Sequence, residues 1–378
     1  MTIRLRVVVD AMAAPGSGPS ARYTRDLTEA LIRRAPGGTA VEGIVSSSPP
    51  EEYDAITAAL PGLADLYKTS LARRELRAAW QLGLTTSPGG GIIHSPTLLA
   101  PMRRHDPAGG DQVVVTVHDT IATTHPDSLS SAEAAWRRAM LKRARKHADA
   151  IVATSHALAT RLEERYGFGD RLRVVPPAPR GGLTAPGDEE RRAALGLPGQ
   201  YLVTVGTLEP RTGLVDLLTA LARPGVPDLP LVIAGPATWG EQHVAAAADD
   251  AGLRPGRVRA IDGLTDAEYG TLLRHASAFI APAHAEGHPE VVIEALSAGL
   301  PVVHSDTPEY TEAAAGSGLV VAVGVGGDPY ADRLAASIAA VVEDRALADR
   351  MRIGGLDRAR AFSWDDAADR TWQLHADL

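Results

Sequence analysis

Two glutamates eight positions apart are the side chains of this sequence with the clearest potential for chemistry. Pro289 suits the first residue of a helix, because its missing N–H would have no intrahelical partner there, and Gly299 suits the end. The pattern predicts a helix of roughly ten residues with Glu294 on its second turn. Glu286 would lie in the loop before a helix N-terminus, which favours anions. A capped surface helix with two solvated glutamates is the alternative.

A second polar loop follows the apolar run Tyr201–Val205. It begins at Gly206 and contains Arg211 and Thr212, just before a predicted helix at Leu214–Ala222. A guanidinium beside free backbone N–H groups suits a phosphate. A single arginine at such a place also fits an ordinary surface residue. Its weight comes from sharing one half of the chain with the two glutamates.

The first half of the chain contains two further candidates. Gly16, Ser17 and Gly18 form a glycine-rich turn that lets backbone N–H groups approach a ligand. A plain turn is the equal alternative, because the dinucleotide fingerprint and the P-loop lysine are both missing. His118 and Asp119 end an apolar run, where they can bind a hydroxyl or transfer a proton. The alternative is a polar strand end with Asp119 capping the next turn.

Short apolar runs alternate with helical patterns along the chain, which predicts an α/β fold with two doubly wound parallel sheets. The predicted strands are Leu5–Val9, Val41–Val45, Gly91–His94, Gln112–His118, Ala150–Thr154, Leu172–Val175, Tyr201–Val205, Leu229–Ile233, Arg257–Ile261, Ala278–Ala281, Pro301–His304 and Gly318–Val321. The proline- and glycine-rich run Pro176–Gly187 predicts a linker. Such sheets bind ligands beyond the carboxyl ends of their strands, so we expect the site in a cleft between the domains.

The pattern divides the chain into four parts. We predict an N-terminal Rossmann-like domain at residues 1–178, a linker at 179–190 and a second Rossmann-like domain at 191–360. The tail at 361–378 carries Phe362, Trp364, Trp372 and Leu374, which predicts a closing helix packed on a domain.

Composition excludes several classes of protein. The 378 residues carry a net charge of −8, which argues against a general nucleic-acid binder. Cysteine is absent, so disulfides and cysteine-ligated metals are excluded. The 12 histidines show no metal-ligand spacing, so we predict no metal site. No run is apolar enough for a membrane span or a signal peptide, and we expect a cytoplasmic, bacterial protein.

One predicted helix, Ser131–His147, is strongly basic on its polar side. Its cations are Arg137, Arg138, Lys142, Arg143, Arg145 and Lys146. A solvated helix face is the favoured interpretation. Weak peripheral contact with an acidic membrane, or an acidic acceptor, is the alternative.

Several motifs together resemble the retaining nucleotide-sugar glycosyltransferases of family 4, which have the GT-B fold. In the second half they are Gly206-Thr-Leu-Glu-Pro-Arg211, Leu231-Val-Ile-Ala-Gly235-Pro, Ile261-Asp-Gly-Leu-Thr-Asp-Ala-Glu268 and the two glutamates Glu286 and Glu294 with seven residues between them. In the first half they are the Gly16–Gly18 loop with Arg22-Tyr23, His118-Asp119 and Ala153-Thr-Ser155-His. The similarity covers nearly the whole chain. It implies two domains facing across a cleft, with the C-terminal helix crossing back to the N-terminal domain.

The resemblance also implies roles. Glu294 would bind the donor ribose, and Glu286 would lie near the donor sugar and stabilise an oxocarbenium-like state. Arg211 and the backbone at Gly287 would hold the diphosphate, in a site that includes Gly206, Thr212 and His288. In the other domain His118 would contact the transferred sugar, and the Gly16–Gly18 loop would close over phosphate and acceptor.

The implied reaction moves a mannose- or glucose-type hexosyl unit from a nucleoside-diphosphate sugar, bound by the C-terminal domain. The hydroxyl acceptor, held by the N-terminal domain, would be a carbohydrate, a lipid-linked molecule or a small molecule. No metal or further cofactor is implied, because helix N-termini and cations stabilise the leaving diphosphate.

Two departures from the family pattern affect the same contact. Thr212 stands where the family has lysine, and Pro289 and Glu290 replace a glycine-rich continuation of the loop. Together they remove a cation and a backbone donor and add a negative charge, although His288 would compensate in part if protonated. A catalytically impaired sugar-nucleotide-binding or partner protein is therefore the second hypothesis. An unrelated two-domain α/β protein, such as an epimerase or a periplasmic-type binder, is the third.

Overall fold

The computed structural model describes residues 2–13, 18–84, 88, 90–106, 109–285, 289–324 and 327–378. Its strands are β1 (Ile3–Val8), β2 (Thr39–Ser47), β3 (Asp65–Ala72), β4 (Ile92–Ser95), β5 (Gln112–Val117), β6 (Ala150–Ala153), β7 (Leu172–Val174), β8 (Leu202–Val205), β9 (Leu231–Ala234), β10 (Thr238–Trp239), β11 (Gln242–His243), β12 (Val258–Ile261), β13 (Ala278–Ala281), β14 (Val302–Ser305) and β15 (Leu319–Val321).

The helices alternate with these strands. They are α1 (Pro19–Arg33), α2 (Pro50–Ala59), α3 (Arg73–Leu82), α4 (Ile121–Thr124), α5 (Ser131–His147), α6 (His156–Tyr166), α7 (Asp188–Ala194), α8 (Leu214–Leu221), α9 (Val244–Asp250), α10 (Asp266–Arg274), α11 (Glu290–Ser297), α12 (Pro308–Ala314), α13 (Tyr330–Glu343), α14 (Arg345–Ala359) and α15 (Trp364–Asp377). The chain forms two compact units: Met1–Pro177 with Ser363–Leu378, and Ala178–Phe362.

The first unit is built on a parallel sheet in the order β3-β2-β1-β4-β5-β6-β7. Strand β5 is buried along almost its whole length, because apolar side chains cover both faces of the sheet. One face packs against Trp80 and Leu141, and the other against Leu27 and Leu374. The predicted doubly wound α/β architecture is therefore confirmed for this half.

The second unit has a parallel sheet in the order β12-β9-β8-β13-β14-β15. Strands β8 and β13 are neighbours, with Leu202 beside Ala278 and Val203 beside Phe279. The strand order reverses between them, so the loops that follow β8 and β13 emerge side by side. Ligands of doubly wound sheets bind at such a point.

The closing helix α15 belongs to the first unit, as predicted. Trp372 donates its ring N–H to the carbonyl of Leu31 at 3.1 Å. Arg34 binds both carboxylate oxygens of Asp369, at 2.9 and 2.6 Å. Apolar packing and these polar contacts together fix α15 against α1.

Besides small shifts of element bounds, three differences from the predicted elements concern the sheets and the start of α11. Strand β3 at the sheet edge and the short hairpin of β10 and β11 were not predicted. Most residues of β3 are exposed or half-buried, so it lacks the apolar pattern that marks the inner strands. Helix α11 begins at Glu290, so the prediction of Pro289 as its first residue is wrong by one position. Across the described ranges, no helix combines the length and the apolar character needed to cross a membrane.

Candidate functional site

The loops after β8 and β13 are joined by backbone contacts. The N–H of His284 donates to the carbonyl of Arg211 at 2.7 Å. Gly213, which precedes α8, has φ +68°, and a Cβ there would lie 2.1 Å from the carbonyl oxygen of Pro282. Glycine is therefore required for this close approach. The structure thus brings the predicted phosphate loop to the strand end that leads into the acidic segment.

Arg211 lies at the junction of the two loops. Its guanidinium binds both carboxylate oxygens of Glu209 and donates to the carbonyl of Ala285 at 3.2 Å. The Thr212 hydroxyl contacts the carbonyl oxygens of Thr207 at 2.6 Å and Glu209 at 2.8 Å. Thr212 therefore stabilises the loop itself, while Glu209 fixes the guanidinium and neutralises part of its charge.

Glu294 is on the second turn of α11, as predicted, but it is not a solvated glutamate. The residue is 2% exposed. Arg180 donates from Nε to Oε1 at 2.7 Å and from Nη2 to Oε2 at 3.0 Å, and its backbone N–H lies 3.4 Å from Oε1. The surface-helix alternative is thereby excluded for Glu294.

Arg180 itself is enclosed by α10. Its guanidinium lies 3.9 Å from the centre of the Tyr269 ring and 3.7 Å from a carboxylate oxygen of Asp266. Burial would lower the pKa of Arg180, but Glu294, Tyr269 and Asp266 raise it above its ordinary value, so the side chain stays cationic. The proline- and glycine-rich composition around Arg180 predicted only a linker, and sequence reasoning missed this contact.

The loop between β13 and α11 is only partly described. Glu286, Gly287 and His288 lie outside the described residues. Pro289 follows, and its carbonyl accepts the N–H groups of Val292 at 3.0 Å and Ile293 at 3.1 Å. Pro289 therefore opens the first turn of α11.

His284 is a second residue that sequence reasoning missed. Its Nε2 lies 2.9 Å from a carboxylate oxygen of Asp216 in the first turn of α8. Its ring meets that of Tyr330 edge-on, with the centroids 5.4 Å apart. Its position two residues before Glu286, at the carboxyl end of β13, is the signal that would have identified it.

The candidates of the first unit make different contacts. His118 is buried, and its Nε2–H donates to the carbonyl of Pro96 at 2.7 Å, while its ring packs edge-on against Tyr23. Asp119 accepts the N–H of Ile121 at 3.0 Å, so it caps the next turn, as the alternative held. Gly18 is the residue before α1; Gly16 and Ser17 lie outside the described residues.

The basic helix α5 uses several of its cations internally. Arg137 pairs with Asp119 and Glu133, Arg138 donates to the carbonyl of Ala122, and Arg143 donates to that of Met102. The remaining cations, Lys142, Arg145 and Lys146, are exposed. This arrangement fits the favoured interpretation, in which α5 has one solvated face and packs its other face on the core.

No group of three or more His, Asp or Glu side chains suited to a metal ion occurs in the described part of the chain. The absence of a metal or further cofactor stays a prediction.

Two family models match the chain. The model for glycosyl transferases group 1 matches residues 188–357, and the model for glycosyltransferase family 4 matches residues 20–178. Together they cover most of both units.

Curated relatives include transferases with different substrates. O-antigen chain mannosyltransferase B of Escherichia coli is 25% identical over 74% of this chain and 72% of its own length. D-inositol 3-phosphate glycosyltransferase 1 of Catenulispora acidiphila is 32% identical over 59% of this chain and 56% of its own length. Glycogen synthase of Mycobacterium tuberculosis is 29% identical over 70% of this chain and 62% of its own length. The match thus spans only about half to three quarters of these relatives.

Solved structures share the whole fold. Anabaena HepE, crystallised with UDP and glucose, superimposes with a TM-score of 0.73 at 18% identity, over the full length of both chains. Sucrose-phosphate synthase of Thermosynechococcus elongatus superimposes with a TM-score of 0.71 at 19% identity, over 100% of this chain and 99% of its own. Both likenesses establish the GT-B fold.

Proposed function

Because this chain belongs to the group 1, family 4 glycosyltransferases, we propose that it transfers a hexosyl unit of glucose or mannose type to a hydroxyl acceptor. The donor would be a nucleoside-diphosphate sugar, and the anomeric configuration would be retained. The observation that carries the proposal is the meeting of the Arg211 loop with the strand end that leads to α11, at the order reversal of the second sheet. This is where a doubly wound sheet binds a nucleotide.

The proposed donor site assigns one part of the nucleotide to each element. Glu294 accepts hydrogen bonds from the ribose hydroxyls, and Arg211 with the backbone at Gly287 holds the diphosphate. Gly206, Thr212 and His288 complete the loop around it. The names of the relatives support a hexosyl donor, since they include a mannosyltransferase and a glycogen synthase, and HepE was crystallised with UDP and glucose.

The proposed chemistry breaks the bond between the anomeric carbon and the diphosphate oxygen. The acceptor hydroxyl forms the new bond to that carbon and gives up its proton to the departing phosphate. We assign Glu286 to stabilising the positive charge that develops on the transferred sugar, and His118 to contact with that sugar. Arg211 stabilises the negative charge on the leaving group without a metal ion. Gly16, Ser17 and Gly18 are assigned to the phosphate and the acceptor, and the acceptor would be a carbohydrate, a lipid-linked molecule or a small molecule.

A sugar-nucleotide-binding protein with impaired catalysis is the second candidate. Its support is the state of the phosphate loop: Glu209 binds one edge of the Arg211 guanidinium through both carboxylate oxygens, and Thr212 supplies no charge. Less positive charge is then available for a leaving diphosphate.

Calorimetric titration with UDP-, GDP- and ADP-linked glucose and mannose, followed by transfer and donor-hydrolysis assays, separates the two candidates. Binding with turnover of at least one donor is the expected result. Binding of a donor without any turnover would favour the impaired protein. No binding of any of these donors would reject both.

A further inference from the structure

We propose that Arg180 is a positioning residue of the donor site, which holds the Glu294 carboxylate so that its free edge receives the ribose hydroxyls. The inference rests on the proposed function, because it takes Glu294 as the group that binds ribose. It adds a residue 114 positions away in the sequence, in a segment whose composition predicted only a linker.

The contacts of Arg180 fix both the charge and the plane of this carboxylate. The side chains of Glu294 and Arg180 are only 3% and 9% exposed. An ionised carboxylate at this depth needs a cation or several hydrogen bonds in place of water. The two parallel N–H donors of the guanidinium supply both, and a two-point contact defines the orientation of the carboxylate group.

The geometry favours positioning over competition between Arg180 and the ribose. A carboxylate has about four lone-pair positions; the guanidinium fork occupies two of them, and the backbone N–H of Arg180 lies 3.4 Å from Oε1, which leaves room on Oε2. A ribose can therefore bind while the ion pair stays closed. Displacing Arg180 would instead separate a buried guanidinium from Glu294 and leave it beside Asp266 and the Tyr269 ring, in exchange for neutral hydroxyl donors.

This role gives a specific expectation. Without Arg180, the carboxylate can rotate or take up a proton, and ribose recognition is lost while the phosphate contacts at Arg211 remain. Discrimination between a ribonucleotide and its 2′,3′-dideoxy counterpart should therefore depend on Arg180. A residue with a purely structural role would lower stability without changing that ratio.

The experiment uses the full chain and whichever of UDP, GDP and ADP binds most tightly. Dissociation constants for this nucleotide and its 2′,3′-dideoxy form are measured by calorimetry for wild type, Arg180→Met, Arg180→Lys and Glu294→Gln. We expect wild type to prefer the ribonucleotide by about tenfold and Arg180→Met and Glu294→Gln to lose most of this preference. Arg180→Lys should be intermediate, since lysine keeps the charge but not the fork, and it serves as the test if Arg180→Met does not fold.

Arg191→Met is the matched control. Arg191 donates to the carbonyls of Ala185 and Pro186 in the same segment and to the Thr271 hydroxyl. Its loss should lower the melting temperature and leave the preference for ribose unchanged.

The outcomes distinguish a failure of the inferred role of Arg180 from a failure of the proposed function. If Glu294→Gln loses the preference for ribose and both Arg180 variants keep it, the positioning role is overturned and the proposed donor site stands. If all variants keep the preference, ribose binds elsewhere, and the roles given to Glu294 and Arg180 are both wrong. If wild type binds none of the nucleotides, the proposed function fails and the inference fails with it.

Discussion

Two of the arginine–carboxylate pairs in the second unit have similar geometry and different origins. Arg180 and Glu294 are 114 residues apart, and their side chains are 9% and 3% exposed. Arg211 and Glu209 are two residues apart, and their side chains are 16% and 12% exposed. Packing of a distant segment creates the first pair, whereas the conformation of one loop creates the second.

The comparison shows that the same kind of ion pair can serve either the stability of the fold or the binding of a ligand. Breaking a deeply buried pair leaves an uncompensated charge, so the fold depends on it. A pair inside one loop can open and re-form while water reaches part of it, so its cation can turn toward a ligand at a smaller cost. We therefore expect the first pair to affect mainly stability and ribose recognition, and the second to affect mainly phosphate binding.

Removing Arg180 should have the largest effect. Arg180→Met is expected to lower the free energy of unfolding by about 3–5 kcal/mol, because Glu294 is left buried without its cation. Chemical denaturation of the full chain measures this change. The double variant Arg180→Met/Glu294→Leu should recover much of the loss, since an apolar pair of similar volume needs no counterion. A double variant less stable than the single would contradict this account of the pair.

A buried long-range contact without charge sharpens the comparison. His375 of α15 lies 3.3 Å from His94 of β4, and burial lowers the pKa of His375 to about 4 and that of His94 well below its ordinary value. As the pH falls, these two histidines take up protons near pH 6.5 in the unfolded chain but only at lower pH in the folded chain. The free energy of unfolding should therefore fall as the pH drops from about 6.5 to 4. His375 alone accounts for about 3 kcal/mol of this loss at its full extent. Denaturation midpoints across this pH range measure the loss.

His375→Gln should flatten this pH dependence, whereas the exposed His243→Gln should not. An equally steep profile in His375→Gln would assign the acid sensitivity to other groups.

The loop that carries the local pair depends on Gly213. Gly213→Ala should cost more than the ~1–2 kcal/mol expected for alanine at a left-handed position, because its Cβ would collide with the Pro282 carbonyl. It should also weaken nucleotide binding, since the loop that holds Arg211 must shift. Gly252→Ala is the matched control, because Gly252 has φ +81° and open space around its Cβ position. Denaturation and nucleotide titration check both variants, and equal costs in both would show that the collision is relieved.

Removing Arg211 should have the smallest effect on stability. Arg211→Met is expected to weaken binding of a nucleoside diphosphate by about 1–3 kcal/mol, the loss of a charge-assisted contact, and to change stability by less than about 1 kcal/mol. Glu209→Gln keeps the cation and removes its competitor, so it should bind the diphosphate at least as well as wild type. Calorimetric titration tests both; unchanged affinity in Arg211→Met would move the phosphate site away from this loop.

Much of the fold was predictable, because buried parallel strands carry apolar residues on both faces. Strand β13 has the predicted bounds, and β5 and β6 differ by one residue at one end. Strand β3 was missed because an edge strand keeps polar residues toward solvent. Part of the candidate site was equally accessible: the Arg211 loop and Glu294 follow from strand ends and helix signals.

Arg180 could not be predicted in the same way. Its neighbours are prolines and glycines, which indicate a linker, and nothing local distinguishes a buried arginine from a solvated one. His284 was nearer to recognition, because it stands at the end of β13, but its partner Asp216 is 68 residues away. Both side chains gain their meaning from partners that only the folded chain supplies.

The sequence by itself determined the two α/β units, the family and the order of the chemical groups, since apolar periodicity and strand-end motifs are local properties. The tertiary structure alone decided the state of those groups. Glu294 is buried and paired with Arg180, Arg211 is paired with Glu209, and Asp119 caps a turn. Desolvation and charge pairing depend on which residues meet in space, and that depends on the folding of the entire unit.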